Sequence, residues 1–197
     1  MTDTYKTIRN ASEGIYKEKG SKFLSFAFPV GNLDDINRII RDFKKQYYDA
    51  RHVCFAYMLG EDRQEWRFND DGEPSGTAGK PVLGQIKSFG LTNVLVIVVR
   101  YFGGILLGTG GLITAYREAA ASALNNAVII EKTMNTSVSF QFDYLQLNEV
   151  MKVMKEMNPV IIQQKFDNFC LIQLEIRKAE AEKLISKLEK IDGLVFE

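Results

Sequence analysis

At 197 residues and 46% hydrophobic content the chain can bury a sizeable core, and its length allows one domain or two. Basic and acidic residues number 25 each, which excludes a generic nucleic-acid coat with its basic excess. No hidden basic module emerges on division, with 17 basic against 15 acidic residues over 1–135 and 8 against 10 over 136–197, so any nucleic-acid contact must be a local patch.

The opening MTDTYKTIRN lacks the apolar core of a signal peptide, and no run reaches membrane length, so a cytoplasmic protein without a membrane partner is expected. Thr7 to Tyr16 and Phe23 to Val30 read as two strands joined by the polar turn Lys17-Glu18-Lys19-Gly20-Ser21-Lys22. Three lysines, Lys17, Lys19 and Lys22, stand there beside Phe23; such a cluster either faces water or touches phosphate with an adjacent ring. A helix opens at Asp34, with Ile36, Ile39, Ile40, Phe43 and Tyr47 at helical spacing and Arg38, Arg41, Lys44 and Lys45 on the other face. His52 to Leu59 and Glu65 to Phe68 read as a strand and its return across Gly60-Glu61-Asp62-Arg63.

The stretch from Trp66 to Ala127 concentrates the unusual local demands. Its first turn, Asn69 to Lys80, holds the carboxylates Asp70, Asp71 and Glu73 and two cap candidates, Ser75 and Thr77, for a helix carrying Val82, Leu83 and Ile86. Crowded carboxylates can hold magnesium or raise one another's pKa, or they can simply cap backbone N–H groups; the spacing lacks the alternating ligands of an EF-hand. Ser75, His52 and Asp70 or Asp71 can be assembled on paper into a triad, but no GxSxG supports it, and a lone histidine at a strand start is more often structural. Asn93 to Val99 is an unbroken aliphatic run suited to a strand covered on both faces. Arg100-Tyr101-Phe102-Gly103-Gly104 ends it, and Gly108-Thr109-Gly110-Gly111 opens a small-residue helix through Leu112, Tyr116, Ala119, Ala120, Ala123, Leu124 and Ala127. Strand, glycine loop and helix N-terminus in that order can present free N–H groups to an anion, or can serve only a tight turn and close packing. Neither GxGxxG nor GxxxxGK[ST] is present, so no Rossmann or Walker site is assigned.

The character changes after Glu131-Lys132-Thr133-Met134-Asn135, which places domains at 1–134 and 135–197. Ser137 to Tyr144 alternates as a strand. A helix carries Leu147, Val150, Met151, Met154 and Met157 and stops at Asn158-Pro159; the methionines read as core filling. Val160 to Phe166 and Phe169 to Ile176 form a hairpin, a helix with Ala181, Leu184, Ile185, Leu188 and Ile191 follows, and Leu194 to Phe196 closes the order βαββαβ of a ferredoxin-like unit. Cys54 and Cys170 fall in apolar runs far apart, the pattern of buried free thiols in a reducing compartment, and with a single histidine and no CxxC neither a metal nor a cofactor is expected.

DDGEPSGTAGKPVL followed by VVRYFGGILLGTGGLITAYREA strongly resembles the YigZ/IMPACT family, and His52-Val53-Cys54-Phe55-Ala56-Tyr57 looks like that family's upstream His-x-Cys-x-Ala-Tyr stretch. The resemblance implies an α+β protein of two domains. The first would be an IMPACT-type domain similar to the fourth domain of elongation factor G, and the second a ferredoxin-like domain similar to its fifth. It also implies a regulatory or ribosome-linked role, with no catalytic reaction to carry over and, as in the eukaryotic relatives, a regulatory protein as a further partner.

The reading is therefore a non-catalytic regulator of translation that binds the ribosome or structured RNA. Lys80, Arg100, Tyr101, Gly103, Gly104, Gly108, Thr109, Gly110 and Gly111 form the expected binding surface for phosphate or RNA, Arg100 as a planar donor and Tyr101 as a stacking ring. Secondary candidates are His52, Asp70, Asp71, Glu73, Ser75 and Thr77. Two other classes stand beside it. One is a small-molecule enzyme acting on a phosphorylated ligand, with or without magnesium, in a pocket joining the two turns. The other is a protein-binding regulatory module. The sequence does not set the oligomeric state.

Overall fold

The computed structural model describes residues 3–197; Met1 and Thr2, the first two residues of the segment read as lacking a signal core, lie outside the described residues. The chain divides into two compact units, Tyr5–Lys132 and a second made of Thr133–Glu197 with the chain's first residues, Asp3 and Thr4 among them. Asp3 is held there by the Arg177 guanidinium and by its carbonyl, which accepts from Met134 N–H at 2.7 Å. The Arg177 pair keeps the Asp3 carboxyl below its usual range.

β1 (Thr4–Ile8) pairs with β7 (Ile129–Thr133), all but Thr4 and Thr133 belonging to the first unit. β2 (Ser12–Glu18), β3 (Ser21–Pro29), β4 (His52–Leu59), β5 (Glu65–Asn69) and β6 (Val94–Tyr101) form an antiparallel sheet in the order β2-β3-β6-β4-β5. The single strand expected over Thr7 to Tyr16 is thus two. β1 leaves the main sheet for β7, a pairing partner distant in sequence, and Ser12 starts afresh against Ala27 of β3.

β6 sits at the centre, which explains its continuous aliphatic run. Val94, Val96 and Val98 pack under α2 (Gly79–Ser88) and α3 (Gly108–Asn125), while Leu95, Ile97 and Val99 pack under α1 (Leu33–Gln46). The period-two alternation of a strand feeds two cores at once, so neither set of positions can be polar. Ala119, Ala120 and Ala123 are fully buried and keep α3 thin against the sheet. α1 starts one residue before the expected Asp34: Asn32 is the cap, its side-chain oxygen accepting from Asp35 N–H at 2.9 Å.

The second unit runs β8 (Asn135–Phe142), α4 (Leu147–Met157), β9 (Val160–Phe166), β10 (Cys170–Arg177), α5 (Lys178–Leu188) and β11 (Val195–Phe196), in sheet order β11-β8-β10-β9. This is the ferredoxin-like βαββαβ expected from period and turn chemistry. Its core joins Phe140, Phe142, Ile172 and Leu174 of the sheet to Val150, Met154, Leu184 and Leu188 of the helices. Met154 is core filling as expected, whereas Met151 is 42% exposed. Cys54 and Cys170 are both buried free thiols, as expected. Among the described residues no helix is long and apolar enough to cross a membrane.

Candidate functional site

Arg100 and Tyr101 are neighbours in β6, so their side chains leave opposite faces of the sheet. Tyr101 lies on the α1 side, where its hydroxyl donates to Asp49 Oδ1 at 3.0 Å. Arg100 lies on the α2/α3 side and is buried. Its Nη1 donates to Glu73 Oε1 at 2.6 Å, and Tyr116 Oη donates to the same oxygen at 2.8 Å. The pair therefore cannot act on one ligand as the sequence suggested, and Arg100 is not a surface donor: its charge already has a buried partner.

The rest of the acidic turn closes around this pair. His52 Nδ1 is 2.8 Å from the Asp71 carbonyl, which can only accept, so Nδ1 carries the proton and Nε2 faces Glu73 Oε1 at 3.7 Å. Cys54 Sγ lies 3.1 Å from the Asp70 carbonyl and 3.4 Å from Tyr116 Oη. Burial pushes both the Cys54 thiol and the Tyr116 phenol well up, so both stay protonated at neutral pH and the thiol is not a ready nucleophile. Asp71 meets His52 through its backbone, and His52 is directed at Asp71 and Glu73 rather than at exposed Ser75, so the Ser75–His52–Asp triad is not assembled.

The three carboxylates diverge. Asp70 accepts from the N–H groups of Gly76, Ala78 and Gly79 at 2.8, 3.1 and 2.8 Å, and so terminates α2; neither Ser75 nor Thr77 is the cap, the Thr77 hydroxyl donating instead to the Pro74 carbonyl at 2.6 Å. A carboxylate reaching from outside the helix takes the N–H groups of Ala78 and Gly79 at the helix start and that of Gly76 in the turn before it, where a hydroxyl would take one. Asp71 Oδ2 takes Val53 N–H at 2.7 Å, and Oδ1 takes Lys44 Nζ at 2.6 Å. Glu73 belongs to Arg100 and Tyr116. Gly79 is required because a Cβ there would come within 2.7 Å of Asn69 N. Among the described residues no group of three or more His, Cys, Asp or Glu side chains converges as a metal site.

The second turn is built differently. Lys19 and Gly20, with φ of 45° and 78°, make the two-residue β2–β3 hairpin turn and lift Lys17, Lys19 and Lys22 into solvent. The loop after β6 crosses directly over this turn: a Cβ on Gly103 would overlap the Gly20 and Ser21 backbone, and Gly103 N–H donates to Ser21 Oγ at 3.2 Å. Phe102, Ile105 and Leu106 are 48%, 54% and 82% exposed, and Gly104 is exposed with them.

α3 then opens at Gly108 with no side-chain cap, leaving its first N–H groups without a capping acceptor. Tyr16, Glu18 and Lys19 on one side and Gly110, Gly111 and Thr114 on the other line a cavity of about 260 Å³. The lysine turn and the glycine helix start, separate in the sequence, meet there. Thr109 is exposed at the same helix start, whereas Lys80 projects from the first turn of α2 and does not line the cavity. Phe23, adjacent to the lysines in sequence, is fully buried against Tyr116 at 5.1 Å between ring centroids; the exposed ring is Phe102, on the loop that crosses the hairpin turn and outside the cavity lining. Phe102 lies one residue past the end of β6, and its ring comes within 5.6 Å of the Arg100 guanidinium.

A fold with this first unit and this site defines an Impact N-terminal domain, whose family model matches residues 19–124. The whole chain belongs to the IMPACT family. It is 34% identical over 172 residues to "IMPACT family member YigZ" of Escherichia coli K12, covering 86% of this chain and 84% of that one. It is 36% identical over 156 residues to "IMPACT family member YvyE" of Bacillus subtilis, covering 79% and 72% respectively. A crystal structure of a hypothetical protein superposes over 100% of this chain and 97% of its own with a TM-score of 0.75 at 30% identity.

Proposed function

We propose that this protein is a non-catalytic regulator of translation, acting in the cytoplasm, that binds the ribosome or structured RNA through the β2–β3 turn and the start of α3. Membership of the IMPACT family supports the regulatory role. The observation that carries the binding mode is the meeting of Lys19 with Gly110 and Gly111 around one cavity, with Lys17 and Lys22 exposed on the other face of the same hairpin and adding to the charge of its tip. Lysine ammonium groups and uncapped backbone N–H groups are both phosphate ligands, and a patch of this size fits a chain of zero net charge. The acidic turn supports the non-catalytic reading, since Asp70, Asp71 and Glu73 each bind a different part of the protein and do not face a common ligand.

The test is ribosome co-sedimentation across a salt series with wild type, Lys19→Ala/Lys22→Ala and Gly110→Val. Space beside Gly110 is open, so that substitution covers the helix start without a packing clash. The expected result is co-migration at low salt that disappears as salt rises and is weakened in both variants. Absence of co-migration at every salt concentration refutes the proposal.

A further inference from the structure

Resting on that reading, we propose that the site takes an unpaired nucleotide, with Phe102 as the platform on which its base stacks and Lys19, at the tip of the hairpin that the Phe102–Gly103 loop crosses, on a flanking phosphate. An exposed aromatic on a glycine loop ordinarily has no fixed orientation. Phe102 differs because both ends of its support are fixed. The Arg100 guanidinium lies over its ring at 5.6 Å and over the buried Phe23 ring at 5.5 Å, so one cation is in contact range of both a core ring and a surface ring. Arg100 is in turn held by Glu73 at 2.6 Å, and Gly103, the next residue along, is pressed against the Gly20–Ser21 backbone.

The buried polar cluster thus has a purpose beyond folding. The Nη1 bond of Arg100 to Glu73 holds the guanidinium in place 5.6 Å from the Phe102 ring, where it backs that ring. Arg100 and Glu73 are positioning residues, and Phe102 is the contact. A continuous A-form duplex keeps its bases stacked and offers this ring nothing, whereas a bulge or loop offers a free base face beside a phosphate chain for the lysines. The charged rim and aromatic platform together favour nucleic acid with an unstacked base over an acidic protein surface, which would use the lysines and leave the backed ring without a role.

The experiment uses the full chain and two RNAs, a hairpin carrying one bulged 2-aminopurine and the same stem fully paired. Wild type is expected to bind the bulged RNA more tightly and to change its 2-aminopurine fluorescence. Phe102→Ala, at a half-exposed site that leaves the core intact, should lower affinity for the bulged RNA about tenfold or more and abolish the fluorescence change while leaving duplex binding as it was. Arg100→Lys, checked for folding by thermal melt, should weaken the fluorescence change while sparing duplex affinity, a readout a merely structural role would not move. Lys19→Ala/Lys22→Ala should weaken binding to both RNAs equally. Equal affinity for the two RNAs, or an undiminished fluorescence change in Phe102→Ala, overturns this inference and leaves RNA binding standing. Failure of both RNAs to bind at low salt overturns RNA binding itself.

Discussion

The two glycine-rich turns of the first unit are alike in composition and opposite in construction. In the turn from Asn69 to Lys80 every carboxylate has a protein partner: Asp70 ties off α2, Asp71 joins β4 to α1, and Glu73 neutralises Arg100 beneath α3. In the loop from Phe102 to Gly111, Phe102, Ile105 and Leu106 are exposed, only Leu107 packs on the core, and the helix start has no side-chain cap. Crowded polar residues on a glycine turn therefore mark a site only when they are left unsatisfied. The first turn is the fastening that holds the second in place.

The sharpest way to break this contrast is to remove the fastening. Glu73→Ala leaves Arg100 buried and unpaired, and the expected loss is about 3–5 kcal/mol, read by denaturant unfolding. Asp70→Ala removes the acceptor for two N–H groups at the start of α2 and for Gly76 N–H in the turn before it, and should cost about 1–2 kcal/mol in the same measurement. Lys19→Ala/Lys22→Ala touches no buried group and should stay within about 0.5 kcal/mol of wild type while weakening RNA or ribosome binding. A binding defect without a stability defect at the β2–β3 turn beneath the second loop, and the reverse in the first turn, is the pattern expected.

Alkaline pH tests the first turn without mutation. Burial raises Cys54 and Tyr116 above their ordinary values, so folding favours their protonated forms. The stability this contributes is complete below the unfolded thiol's pKa of about 8.5 and is lost as pH rises past it towards the raised folded values, because only the unfolded state then gains by ionising. Unfolding free energy should fall above about pH 9, and Cys54 should resist alkylation in the native state.

Much of the fold was legible. The Asn93–Val99 run announced a strand covered on both sides, and the second unit's alternation between periods of two and 3.6 spelled βαββαβ. The pairing of β1 with β7 was not, because it joins segments more than a hundred residues apart and neither carries a local mark of its partner. In the site, the sequence marked Arg100 and Tyr101 as one binding pair; strand alternation separates them, and burial commits Arg100 to Glu73. The meeting of Lys19 with Gly110 and Gly111 depends on tertiary packing, and no spacing in the chain encodes it.

The central claim is that the β2–β3 turn and the helix start it meets form an electrostatic phosphate-binding surface, and the dependence of RNA affinity on salt tests it most directly. Filter binding of a structured RNA should give log affinity falling linearly with log salt, and Lys19→Ala/Lys22→Ala should flatten that slope by about 1.5, roughly 0.7–0.9 for each phosphate that a lysine no longer neutralises. A slope unchanged in the double variant, or no binding at low salt, contradicts it.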